Sequence, residues 1–162
     1  PETFLVLTGK QSTALARAVT ERSLAAHVRH LGFLPYGDYQ RLMTCVDVFL
    51  LPFVDTVANR GRWPGRIRDY MAAARPVISN PVGEMGRLLA EHDIGALAGE
   101  NAVDMAEKID FLRAHPEVRE RQGATARRLA EQRFSMEKIT DDLALCYRET
   151  WDRFRAAARA SR

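Results

Sequence analysis

The segment from Trp63 to Ser79 reads as loop, helix and strand in quick succession. Trp63 and Pro64 close a loop rich in arginine and glycine, and proline suits the first helical position because its φ is already fixed there. Ile67, Tyr70, Met71 and Ala74 then recur at helical spacing. Arg75-Pro76 stops the helix, since proline has no N–H to donate, and Val77-Ile78 opens an apolar run suited to a buried parallel strand. A helix start with glycines beside it and arginines around it can hold an anion such as a pyrophosphate. One acid, Asp69, sits within the first turn and a half.

The same alternation runs through the first hundred residues. Strands are predicted over Thr3–Thr8, Val28–Leu34, Val48–Leu51, Pro76–Ser79 and Gly95–Ala98. Helices are predicted from Thr13 to about Leu24, from Gly37 onward with Asp38 as N-cap, and from Glu84 to Glu91. Strands alternating with helices imply a parallel sheet covered on both faces, wound by right-handed crossovers. Beyond Glu100 the strands stop. Asn101 or Asp104 begins a helix carrying Met105, Ile109 and Leu112; Pro116 starts another running to about Arg133. Ser135 caps a last helix that reaches past Trp151, with residues 156–162 as its fraying end.

At 162 residues the chain is one α/β domain, 1–162, with a helical tail over 101–162. Its net charge of +3 argues little for nucleic acid, and arginine outnumbers lysine, present only as Lys10, Lys108 and Lys138. No apolar run approaches the roughly 20 residues that span a bilayer. Cys45 and Cys146 lie far apart in apolar helical patterns, which predicts buried thiols in a reducing compartment and hence a cytoplasmic protein. His27, His30, His92 and His115 lack metal-ligand spacing. No Ser/His/Asp constellation or nucleoside-triphosphate loop is present, and no cofactor is expected.

The order of signals from Leu31 to Trp151 resembles the C-terminal, donor-binding domain of retaining glycosyltransferases with two Rossmann-like domains, the GT-B fold. Leu31-Gly32-Phe33-Leu34 is similar to that family's strand ending in a glycine and a hydrophobic residue. Tyr39 through Val48 resembles the helix leading to the strand that ends at Pro52. Asp69-Tyr70-Met71-Ala72-Ala73-Ala74-Arg75-Pro76-Val77-Ile78 resembles Glu-(Ala/Tyr)-Met-Ala-x-Gly-x-Pro-Val-(Val/Ile). Ile94 to Leu97, Gln122 to Arg127 and Phe134-Ser135-Met136 continue the series, with methionine where tryptophan is usual.

The resemblance implies a Rossmann-like doubly wound sheet of about five strands, order 2-1-3-4-5, as in smaller folds of this kind. It implies a piece of a longer glycosyltransferase that transfers a hexose from a nucleotide-diphosphate sugar, with an N-terminal acceptor domain as partner. This chain alone would then be inactive, because the family's basic loop for the diphosphate precedes the part matched here. By the same resemblance Asp69 meets the donor ribose, since both oxygens of a carboxylate accept from a vicinal diol. Gly65 and Arg66 stand at the diphosphate, Phe33 and Leu34 at the base, and Gly83, Glu84 and Met85 near the donor sugar. The family's first glutamate falls on Gly61, and neither Asp55 nor Asn59 is in register to replace it. Ala74 stands where the family has glycine; a left-handed backbone there would cost alanine about 1 kcal/mol.

Plainer roles compete with each of these. Asp69 also favours the helix dipole, and Arg60, Arg62, Arg66 and Arg68 also read as a solvated basic loop. Phe33 and Leu34 also read as packing residues. The arginine-rich end, Arg148 through Arg162, is a candidate for peripheral contact with anionic lipid, against a solvated helix. A non-catalytic nucleotide-binding or regulatory partner domain is the alternative function. It is favoured by the missing glutamate and by the Asp-for-Glu and Ala-for-Gly exchanges.

Overall fold

A computed structural model describes residues 3–160, which fall into two compact units, residues 1–45 and 46–162. In the first, β1 (Leu5–Leu7) pairs in parallel with β2 (Val28–His30), Leu5 opposite Val28 and Leu7 opposite His30. The helices α1 (Thr13–Glu21) and α2 (Tyr36–Cys45) complete it. α2 begins before the predicted Asp38 cap, because the Pro35 carbonyl already accepts from the Tyr39 N–H at 2.9 Å. Asp38 therefore lies inside the first turn, where its charge still complements the helix dipole.

The second unit is built on a three-stranded parallel sheet in the order β3-β4-β5 (Phe49–Leu51, Val77–Ser79, Gly95–Leu97). Around it stand α3 (Val57–Arg60), α4 (Arg66–Ala72), α5 (Gly83–Glu91), α6 (Ala102–Ala114), α7 (Pro116–Arg133) and α8 (Met136–Ala160). The five strands are parallel as predicted, but they form two small sheets, β1-β2 and β3-β4-β5, among the described residues. Each strand is only three residues long, and β1 makes its ladder bonds to β2 alone.

The central strand β4 reads Val-Ile-Ser and is buried throughout, as a strand covered on both faces must be. Ile67 and Met71 from α4, Met85 from α5, Ile94 and Leu112 are likewise without exposed surface, and Leu112 packs with Ile78 of β4. Each such side chain contributes about 1.5–3 kcal/mol by leaving water. Gly95 opens β5 because a Cβ there would stand 2.7 Å from the backbone nitrogen of Val77.

α4 starts at Arg66 rather than at Pro64, after a tighter turn in which the Ile67 N–H bonds the Pro64 carbonyl at 3.1 Å. It ends one residue before Ala73, and Ala74 then takes φ +56, a left-handed conformation that strains alanine and suits glycine. α7 lies directly against this corner. A Cβ on Gly123 would stand 2.8 Å from the Ala74 carbonyl carbon, and Arg127 donates to the Ala72 carbonyl. Gln122 Nε2 donates to Asp93 Oδ1 at 2.9 Å and to the Gly95 carbonyl at 3.0 Å, while Arg121 Nε reaches Asp93 Oδ2 at 2.8 Å.

α7 spans the predicted residues, Asn101 caps α6 by accepting from the Asp104 N–H, and Ser135 Oγ accepts from the Lys138 N–H. The cysteines depart from expectation: both are free and exposed. Cys146 lies on the part of α8 from residue 140 to 159, where every residue is exposed, so the apolar pattern around it has no burial to match. No helix among the described residues is long and apolar enough to cross a membrane.

Candidate functional site

In an open parallel sheet, ligands meet the loops that leave the C-terminal ends of the strands. Here those ends are fastened by side chains from the residues closing β4. Ser79 Oγ donates to the Leu51 carbonyl at 2.7 Å, tying β4 to the end of β3. Asn80, 5% exposed, does more. Its Oδ1 accepts from the Phe53 N–H at 2.8 Å, and its Nδ2 donates to the carbonyls of Ala98 at 3.2 Å and Gly99 at 2.7 Å. One buried amide thus holds together the chain leaving all three strands of the unit.

The loop after β3 is ordered by its own polar residues. Thr56 Oγ1 caps α3 by accepting from the Asn59 N–H, and Asn59 Nδ2 donates to the Val54 carbonyl at 2.8 Å. Arg60 grips Asp55 with both prongs, at 2.6 and 2.8 Å, a geometry that suits a guanidinium and a carboxylate. That hydrogen bonding holds the Asp55 carboxyl below its usual range and raises the Arg60 pKa. Two residues on, the Arg62 guanidinium lies over the face of Phe53, 4.8 Å from its centroid. Trp63 stacks on Phe134 at 5.3 Å, joining the loop to the end of α7.

The α3 turn also meets the start of α5. Gly83 has φ +56, and a Cβ there would stand 2.9 Å from Arg60 Cα, so glycine is the residue that admits this approach. Glu84 is exposed and ion-paired with Arg87. Met85 is fully buried, so its side chain belongs to the core.

Gly65, Arg66 and Asp69 share the start of α4. Gly65 has φ −54, so glycine is not required there by the backbone. Arg66 is exposed at the start of α4, and one turn on the Tyr70 ring stacks on Phe49 at 4.0 Å and within 5° of parallel. Burial pushes the Tyr70 pKa up, and the charge of nearby Arg66 works against that rise. Asp69 is exposed and borders a shallow groove of about 330 Å³ with Arg68, Arg127, Phe134 and Met136. Arg68 Nη1 lies 3.9 Å from Met136 Sδ on the same side.

Phe33 and Leu34 belong to the first unit. Phe33 is 83% exposed just beyond β2, and Leu34 is half-buried. The sequence reading passed over Asn80 and Phe53. The one signal for Asn80 is a polar residue placed directly after an apolar buried strand.

A curated relative, spore coat protein SA of Bacillus subtilis (strain 168), is 30% identical over 125 residues. The match covers 75% of this chain, while the chain spans only 32% of that relative's length. Among solved structures, sucrose-phosphate synthase from Thermosynechococcus elongatus superposes with a TM-score of 0.79 at 20% identity, over 91% of this chain and 38% of the synthase. Anabaena HepE, solved in complex with UDP-glucose, gives 0.78 at 22% identity, over 92% of this chain and 42% of its own. The family model described as glycosyl transferase-like matches residues 5–144, and the chain belongs to that family.

Proposed function

We propose that this chain is the donor-binding part of a glycosyltransferase, receiving a nucleotide-diphosphate sugar at the C-terminal ends of its strands. Asp69 accepts from the ribose hydroxyls, Gly65 and Arg66 stand at the diphosphate, and the start of α5 lies toward the sugar. Phe33 and Leu34 line the base. Residues 1–162 act as one functional domain, and transfer to a glycan, lipid or small-molecule acceptor requires a further acceptor-binding domain. The isolated chain therefore binds donor without turning it over. Donor phosphate leaves as the glycosidic bond forms, and its developing charge calls for fixed cations and N–H donors.

The observation that supports this most is family membership over residues 5–144 combined with a loop, rigidly tied by Asn80, at the ligand-binding end of a parallel sheet. HepE, whose fold the chain shares, has been solved with UDP-glucose. Titration calorimetry with UDP, GDP and ADP tests the reading: one nucleoside diphosphate binds and sugar transfer is absent. A folded chain that binds none of the three refutes it. A second reading, a nucleotide-binding module without catalysis, is favoured by one observation. The family's first glutamate falls on Gly61, and the acid nearest in this loop, Asp55, is held by Arg60. Adding the acceptor-binding part of the full reading frame separates the two, because only the first then yields transfer.

A further inference from the structure

Arg60 closes α3, Arg62 lies in the loop that follows and Arg66 opens α4, and their surroundings differ. Arg60 is committed to Asp55 through both prongs. Arg66 lies one helical turn before Tyr70, whose ring stacks on Phe49, and its charge acts on that hydroxyl. Arg62 forms no ion pair among the described residues; it rests on the Phe53 ring. That ring is itself fixed. Phe53 is 5% exposed, and its N–H is bonded to the buried amide of Asn80.

A guanidinium stacked on an aromatic face is held through its π surface, while its five N–H groups point outward in the plane of the group. Stacking therefore orients the cation without engaging its hydrogen-bond donors. An aromatic quadrupole also leaves the positive charge largely uncompensated, unlike the carboxylate on Arg60. The seat lies two residues beyond β3, at the strand ends where a parallel sheet receives ligands. A fixed cation with a free planar fork at that place is matched to a phosphate, which accepts two parallel N–H bonds.

We propose that Arg62, seated on Phe53, is a diphosphate-binding residue of this chain, with Phe53 and Asn80 as the residues that position it. The inference rests on the nucleotide-sugar reading above and adds a cation to its diphosphate site beside Gly65 and Arg66. Leu in place of Phe53 keeps an apolar filler but removes the π face, so Arg62 is freed from its seat. Lysine in place of Arg62 keeps the charge but loses the fork.

The test is calorimetry of the full chain with UDP and, separately, uridine, which shares base and ribose but carries no phosphate. Circular dichroism first establishes that each variant is folded. The wild-type chain binds UDP more tightly than uridine. Arg62→Ala lowers UDP affinity by about tenfold or more while uridine affinity stays within about twofold. Arg62→Lys and Phe53→Leu each lower UDP affinity by roughly three- to fivefold, again without moving uridine. Arg128→Ala, which removes one positive charge from the exposed side of α7, leaves the UDP-to-uridine ratio unchanged. An unchanged ratio in Arg62→Ala, with wild-type UDP binding intact, overturns the role of Arg62 alone. If the chain binds GDP or ADP instead of UDP, the same comparison is made with guanosine or adenosine. A folded wild-type chain that binds none of the three diphosphates overturns the nucleotide reading and this inference together.

Discussion

Replacing Asn80 by alanine removes three hydrogen bonds at once and leaves their partners in place. The Phe53 N–H and the Ala98 carbonyl lose their only bond to this side chain, and the Gly99 carbonyl loses one made at 2.7 Å. Asn80 and Ala98 are buried, at 5% and 1% exposed, so water reaches at least two of these groups poorly. A typical internal hydrogen bond nets about 1 kcal/mol, and a buried group left unpaired costs about 1–3 kcal/mol. With Gly99 partly rehydrated, the substitution destabilises the second unit by about 3 kcal/mol. Urea unfolding followed by Trp63 fluorescence reads this unit, because Trp63 stacks on Phe134 within it. For an m-value of roughly 1–2 kcal/mol/M, the midpoint falls by about 2 M. Asn80→Asp sharpens the test. Its carboxylate can accept from the Phe53 N–H, but its second oxygen faces two carbonyls, which raises its folded pKa. Stability is then present at low pH, where the protonated acid donates, and is lost as pH rises through that raised value. A shift below about 1 kcal/mol in Asn80→Ala, or no pH dependence peculiar to Asn80→Asp, refutes the claim that one amide fastens the three strand ends.

Asp69→Ala weakens nucleoside-diphosphate binding by roughly 1–3 kcal/mol in calorimetry if the carboxylate meets the ribose, and leaves inorganic pyrophosphate unaffected. Gly123→Ala drives a methyl into the Ala74 backbone, 2.8 Å from its carbonyl carbon, and lowers stability in urea by about 1–3 kcal/mol. Ala74→Gly works the other way. Relief of the left-handed alanine, about 1–2 kcal/mol, outweighs the extra unfolded-state freedom of glycine and stabilises by about 0.5 kcal/mol. Asp93 has its carboxyl held down first by Arg121 and then by Gln122, so it contributes stability at pH above the usual carboxylate value. That contribution disappears as pH falls through the lowered one. Asp93→Asn accordingly flattens the acid side of the stability profile, measured as urea midpoint against pH.

Local signals carried the sequence reading furthest where local chemistry decides the structure. Pro116 at the start of α7, Asn101 before α6 and Ser135 before α8 each act through backbone groups within three residues, so the pattern in the chain suffices. The position of Ala74 was legible for a similar reason, since only one backbone conformation makes a glycine preferable there. α3 was missed because four residues give no hydrophobic period, although Thr56 is a good cap. The cysteines were misread because periodicity reports an apolar face and not whether anything covers it. Roles of the loop arginines were not legible at all. Asp55 holds Arg60 and the Phe53 ring seats Arg62, and the second pairing is set by the placement of that ring in space rather than by spacing in the chain.

This division of labour also accounts for how the loop side chains can vary while the fold stays. Ser79 and Asn80 satisfy backbone groups of the neighbouring strand ends from β4 outward, so the geometry there does not depend on the side chains of residues 54–65. Gly83 admits the Arg60 backbone by having no Cβ, again irrespective of the Arg60 side chain. The loop is therefore free to carry glycine at position 61, where the resemblance would place an acid, and to hold its own ion pair at Asp55 and Arg60. Arg62 is stacked on this frame through the Phe53 ring, whose backbone N–H Asn80 holds. A sugar-contacting acid can be exchanged on such a loop without unfolding the site, whereas loss of Asn80 disturbs every element that leaves the sheet.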